Sequence, residues 1–163
     1  MKFQGEVLSV AQMLEAANTA PVYMPGVGVG VLHTAAGNAP HCADLLAAGD
    51  SVESCWRFGV LQTLDDYTST LRRGGVALAA QVFTDEPTST GAVQIDAAFA
   101  ALADYLAERD GWDAPAWVSD PGRRTSGWYP SVPGIFRADA DEESPRAFRD
   151  RGILVTTLSL ARA

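Results

Sequence analysis

Reactive side chains gather in one short stretch, where His33, His41, Cys42 and Asp44 precede a second thiol at Cys55. Two imidazoles beside a thiol suggest either metal ligation or a Cys–His nucleophile. A structural zinc site takes four Cys/His ligands in close pairs. The chain has two His and two Cys in all, with no C-x-x-C or H-x-x-x-H pair. The zinc-deaminase pattern of His-x-Glu with Pro-Cys-x-x-Cys is also missing. The spacing therefore implies no metal and no cofactor. A Cys–His pair needs thiol, imidazole and an orienting group to meet in space, which nearness along the chain does not supply. His33, His41 and Cys42 stay candidates for a small-molecule or nucleotide-processing enzyme only if folding joins them.

Other catalytic patterns are weaker. Gly26-Val-Gly-Val-Gly30 is neither a G-x-G-x-x-G fingerprint nor a Walker loop, and no lysine follows residue 2. Gly-x-Ser-x-Gly does not occur. Asp65-Asp66 falls on the polar side of an amphipathic helix, and Asp85-Glu86 lies in a turn. Asp139, Asp141, Glu142 and Glu143 precede Ser144-Pro145, where negative charge suits a helix start. None of these carboxylates is placed by its spacing in the apolar cleft that general acid–base work requires.

The residues best suited to recognition lie further on. Trp112, Trp117 and Trp128 alternate with Pro115, Pro121, Pro130 and Pro133, a pattern no regular helix accommodates throughout. Trp, Tyr and Arg dominate binding hot spots. Arg123, Arg124, Trp128 and Tyr129 are thus the candidate partner-binding residues, with Arg146 and Arg149 as a charged rim; Trp112 and Trp117 read as core pegs.

The elements that must position these groups are mostly helical. Val10, Leu14 and Ala17 predict a first helix over 9–17, ended by Ala20-Pro21. Period-two alternation from Gly26 to Leu32 predicts an extended, glycine-lined arm. After a Gly/Asn/Pro turn, a short helix is expected over 41–48. Trp56, Val60, Leu64, Tyr67 and Leu71 recur at spacings of four, four, three and four, predicting a helix capped at Asp50 or Ser51 and stopped by Gly74-Gly75. A short apolar helix follows over 76–83. Ile95, Phe99, Leu102 and Leu106 stripe a helix over 92–109 with interleaved alanines, ending at Gly111. Ser144-Pro145 predicts an N-cap and first turn, then a short strand at 153–156 and a last helical turn at 157–163.

Composition sets the outer bounds. A chain of 163 residues with 47% apolar and 20% charged residues suits one ordered domain, 1–163. Residues 1–90 and 91–163 read as its two parts, the first without a helix-turn-helix signal. No stretch reads as a signal peptide or membrane helix, so a cytoplasmic chain with free thiols is expected. The formal charge of −8 is spread along the chain, and each arginine cluster has acidic neighbours. That disfavours direct nucleic-acid binding, which needs clustered cations, and suits a basic protein partner. Eleven Arg against one Lys, with abundant Ala, point to a high-G+C bacterial genome.

The run from Phe99 through Asp104, Gly111-Trp112 and Pro115 to Trp117, together with Glu143-Ser-Pro-Arg-Ala-Phe-Arg-Asp-Arg-Gly-Ile153 and Ser159-Leu-Ala-Arg-Ala163, resembles a module of small high-G+C bacterial proteins. In several of these the module follows a helix-turn-helix and is paired with a nucleotidyltransferase-like toxin. The resemblance covers about residues 97–163 and implies the antitoxin or regulator half of such a pair. The first 90 residues lack the basic helix-turn-helix, so no DNA-binding role carries over.

The expectation is a mainly α domain with a Gly-rich arm and a Trp/Pro-rich C-terminal wrap ending in a short strand. Its function is expected to be antitoxin-like, non-enzymatic protein binding. The enzyme above, and a scaffold associating through the alanine-rich helix, are the alternatives.

Overall fold

A computed structural model of the chain describes residues 9–19 and 30–161, the side chains of 16–19 excepted. Within that range the protein is mainly helical. The Gly26–Gly30 arm lies outside the described residues apart from Gly30. The first helix, α1 (Val10–Thr19), has Val10, Met13 and Leu14 exposed.

Helix α2 (Ala35–Ala47) starts six residues earlier than the sequence pattern predicts and runs through Pro40. Two features override the turn residues. Thr34 Oγ1 accepts a hydrogen bond from the Gly37 amide at 3.0 Å, capping the helix. Ala35, Ala39 and Cys42 then form a fully buried stripe, while Pro40 faces solvent. Tertiary burial outweighs a local propensity cost of about 3 kcal/mol for an interior proline. Asn38 adds a tie across to the next long helix, donating from Nδ2 to Thr63 Oγ1 and Asp66 Oδ2.

That helix begins as α3 (Val52–Cys55), capped by Ser51 Oγ, which accepts from the Ser54 amide at 3.1 Å. It widens into one π turn at Trp56–Val60 and continues as α4 (Leu61–Ala80). The π turn is absent from the sequence expectation, and its local cause is close packing. Gly59 lies against Cys42 so closely that a Cβ would overlap Sγ. Thr63 Oγ1 donates to the Gly59 carbonyl at 2.8 Å and stabilises the turn. The expected stripe is inside: Trp56, Val60, Leu64 and Tyr67 are buried and Leu71 packs against them. The helix breaks at Gly75, where φ is +78°, as the Gly74-Gly75 pair implies. A short continuation and a 3₁₀ turn then carry Ala79, Val82 and Phe83 into the core.

Helix α5 (Val93–Asp110) is the axis of the fold. Ile95, Phe99, Leu102 and Leu106 are fully buried, and so are the five alanines from Ala97 to Ala103. Small side chains admit neighbours on every side, and the alanine face is consumed within the core. The helix ends at Gly111 in the left-handed conformation, φ +74°.

The remaining chain wraps these helices with aromatic pegs. Trp112 stacks on Phe83 at 5.9 Å and donates its indole N–H to Tyr67 Oη. Trp117 donates to the Phe83 carbonyl at 3.1 Å. Three short helices complete the wrap: α6 (Arg137–Glu143), α7 (Arg146–Arg149) and α8 (Thr157–Leu160).

Two local expectations change here. Asp139 to Glu143 do not merely precede a helix; they form α6. Ser144 does not cap α7, because its buried hydroxyl donates to the Ile153 carbonyl and accepts from the Val155 amide. That engagement also removes the expected strand at 153–156. With those two backbone groups taken by one side chain, only an isolated parallel bridge forms, between Trp128 and Ile153.

Candidate functional site

The wrap presents an open groove of about 450 Å³ between α6 and α8. Its position follows from how the loop before α6 is fastened. The Trp128 amide donates to the Gly152 carbonyl, and the Leu154 amide donates to the Trp128 carbonyl. Gly152 has φ +74°, and a Cβ there would strike the Thr125 carbonyl, so only glycine fits. The Trp128 ring meets Trp56 edge-on at 5.8 Å, joining the wrap to the π turn.

Beyond Pro130 the loop turns at Ser131, a non-glycine residue at φ +53°. Its amide and hydroxyl both donate to Glu53 Oε2 on α3, at 2.8 Å each. This holds a conformation that costs about 1–2 kcal/mol for an L-residue. Val132 is thereby pressed inward as the groove floor, while Pro133, Ile135 and Phe136 are turned outward. Ile135 is 82% exposed and Phe136 46%.

The opposite wall is α8. Glu143 Oε2 accepts from both the amide and hydroxyl of Thr157 at 2.9 Å, and these bonds lower the Glu143 carboxyl below its ordinary range. Leu160 is buried, while Leu158, two residues earlier, is 82% exposed beside the groove. A separation of two residues is about 200° around a helix, so one leucine anchors and the other faces out. Asp139 and Glu143, one turn apart on α6, supply the acidic edge.

None of the arginines and aromatics singled out from sequence lines this groove. Arg123, expected as a partner-binding residue, is buried. Its guanidinium pairs with Glu86 at 3.0 Å, donates to the Pro87 carbonyl at 2.7 Å and lies 5.1 Å above the Trp117 ring. Arg124 is exposed and donates to the Asp150 carbonyl. Trp128 is half-buried against the core. Tyr129 is also half-buried; it donates to Asp141 Oδ1 at 2.7 Å, which raises its phenol pKa, and the Arg137 guanidinium stacks over its ring. Arg146 is exposed but bridges Asp104, Glu108 and Asp150, tying α7 to α5. Arg149 is exposed and donates to the Ser144 carbonyl.

Sequence reasoning missed Ile135, Phe136 and Leu158. The available signal was Pro133-Gly134-Ile135-Phe136, a tight turn followed by two large apolar residues that belong to no periodic stripe. Leu158 was legible once Thr156 capped a helix whose inward residue is Leu160.

His33, His41 and Cys42 are not assembled into a catalytic group. His41 is exposed while Cys42 is fully buried; the Cys42 thiol donates to the Cys55 carbonyl and Cys55 donates back to the Cys42 carbonyl. Burial, followed by the neighbouring Cys55, pushes the Cys42 thiol up to about 12. His33 lines a separate recess of about 70 Å³ with Asp66 and Arg73. No cluster of three or more His, Cys, Asp or Glu suited to a metal ion exists among the described residues. No described helix is long and apolar enough to cross a membrane.

A polar network joins the two long helices instead. Tyr67 donates to Asp110 Oδ2 at 2.6 Å, and Arg109 grips the same carboxylate at 2.7 and 2.8 Å. Arg109 and Tyr67 hold the Asp110 carboxyl below its ordinary value, while burial and Asp110 push the Tyr67 phenol up. Fully buried and bonded to both Asp110 and Trp112, Tyr67 links α4 to the end of α5.

Comparison with protein-family models, curated proteins and solved structures gives no significant match.

Proposed function

We propose that this chain is a non-enzymatic protein-binding module that receives its partner on the groove between α6 and α8. One observation carries the reading: Phe136 and Leu158 stand exposed on a groove whose supporting loop is fixed by buried and hydrogen-bonded contacts, with Ile135 exposed on the same turn as Phe136. Large apolar side chains grouped at one concave place are a feature of interaction sites, whereas scattered ones need no explanation. Fixing the loop beforehand lowers the ordering cost of association.

The antitoxin-like role rests on the resemblance of residues 97–163, and in that reading the partner is a basic, toxin-like protein. The charge of −8 is compatible with such a partner. The test is affinity capture of the tagged full chain from its host at endogenous expression, with intact-mass analysis. A single stoichiometric partner, lost from an Ile135→Ser/Leu158→Ser variant of unchanged stability, is the expected result. A partner retained by that variant, or none captured at low salt, overturns the reading.

A further inference from the structure

The groove also constrains the chemistry of what it takes, and this inference rests on the protein-binding reading above. We infer that its occupant is an amphipathic helix whose apolar face is bordered by Lys or Arg. The apolar requirement comes from the floor and lips: Val132 at the base, with Pro133, Phe136 and Leu158 around it. The charge requirement comes from α6. Asp139, Asp141, Glu142 and Glu143 crowd its seven residues, Asp139 and Glu143 line the groove, and none of the four forms an ion pair with a described cation.

Five acids elsewhere are held in ion pairs, while others, such as Glu53 and Asp96, accept from neutral donors. Asp104, Glu108 and Asp150 share Arg146, Asp110 has Arg109, and Glu86 has Arg123. Arg137, the cation within α6 itself, is stacked over Tyr129 at 4.9 Å. Asp141 accepts from Tyr129 and one Glu143 oxygen accepts from Thr157, leaving Asp139 and Glu142 with no hydrogen-bond partner among the described residues. Like charges one turn apart repel by about 0.2–0.5 kcal/mol per pair. A cationic border on the occupant relieves that repulsion and meets the acidic rim across a short distance, while an acidic occupant adds to it.

Dimensions favour a helix. The α6 edge is about 10 Å long at 1.5 Å per residue, the length of about two helical turns. Apolar residues at i, i+3, i+4 and i+7 would then follow the groove, as in other helix-in-groove recognition.

The experiment titrates the full chain into a fluorescent helical peptide of about 18 residues, five turns, with leucines at i, i+3, i+4 and i+7 and lysine elsewhere. A second peptide replaces every lysine with glutamate. The lysine peptide is expected to bind, to be weakened at least about tenfold by Ile135→Ser/Leu158→Ser and severalfold by Asp139→Asn, and to outcompete the glutamate peptide at least about tenfold. Lysine-peptide binding insensitive to Ile135→Ser/Leu158→Ser overturns the inference, because the contact is then diffuse electrostatics. Equal or tighter binding of the glutamate peptide, itself lost on Ile135→Ser/Leu158→Ser, overturns the cationic requirement but leaves the protein-binding groove standing. If neither peptide binds, the helical occupant is refuted, and host capture decides the broader reading separately.

Discussion

Glu53 on α3 accepts two hydrogen bonds from Ser131, one from its amide and one from its hydroxyl, each at 2.8 Å. The pair lies 78 positions apart in sequence and fixes the loop that displays Ile135 and Phe136. Because Ser131 has φ +53°, its two bonds oppose an intrinsic backbone preference. Glu53→Ala is expected to lower stability by about 1 kcal/mol and to speed amide exchange at residues 131–136. Ser131→Gly relieves the strain while losing one bond and should lie within about 0.5 kcal/mol of the parent. Urea unfolding and hydrogen exchange measure both.

The contact between Gly59 and Cys42 gives a second test. Gly59→Ala places a methyl on the Cys42 sulfur, and overpacking of this kind costs about 1–3 kcal/mol. Cys42→Ala empties that space, so the double variant should recover part of the loss. Additive single effects would show that the π turn tolerates the methyl by another route. In the native chain at pH 8 neither buried thiol should react with a disulfide reagent, and both should react on unfolding.

Arg123 separates a folding role from a binding role. Arg123→Ala removes its bond to the Pro87 carbonyl, its pair with Glu86 and its stack on Trp117, and should destabilise by about 2–3 kcal/mol. Partner affinity per folded molecule should not change. Calorimetry with a binding titration on the same preparation measures both.

Asp110 predicts the acid limb. Its folded pKa lies below the ordinary value of 3.8, so its contribution is complete above that value and is lost as pH falls through the lower folded pKa. Stability should therefore drop at and below about pH 4, with the parent chain approaching an Asp110→Asn variant. The urea midpoint against pH measures this; parallel curves for the two chains would contradict it.

The helical frame was legible wherever periodicity and punctuation agreed. The stripe from Trp56 to Leu71 and the one from Ile95 to Leu106 fall inside, and Gly75 and Gly111 take the left-handed conformations their positions suggest. Two of the failures share a cause: a side chain took over a backbone role. Thr34 capped α2 upstream of Pro40, and Ser144 took the groups that a strand at 153–156 would have paired. The candidate site was less legible, because arginine and tryptophan signal recognition in either an interface or a core. Arg123 and Trp128 went to the core, while Ile135 and Leu158, which composition treats as core formers, went to the surface.

The most direct measurement is hydrogen–deuterium exchange on the chain alone and in complex with its captured stoichiometric partner. Protection concentrated at residues 131–143 and 156–160, with the α5 core unchanged, is the expected result. Protection confined to other surfaces, with those two segments exchanging as in the free chain, would contradict a groove-centred binding module.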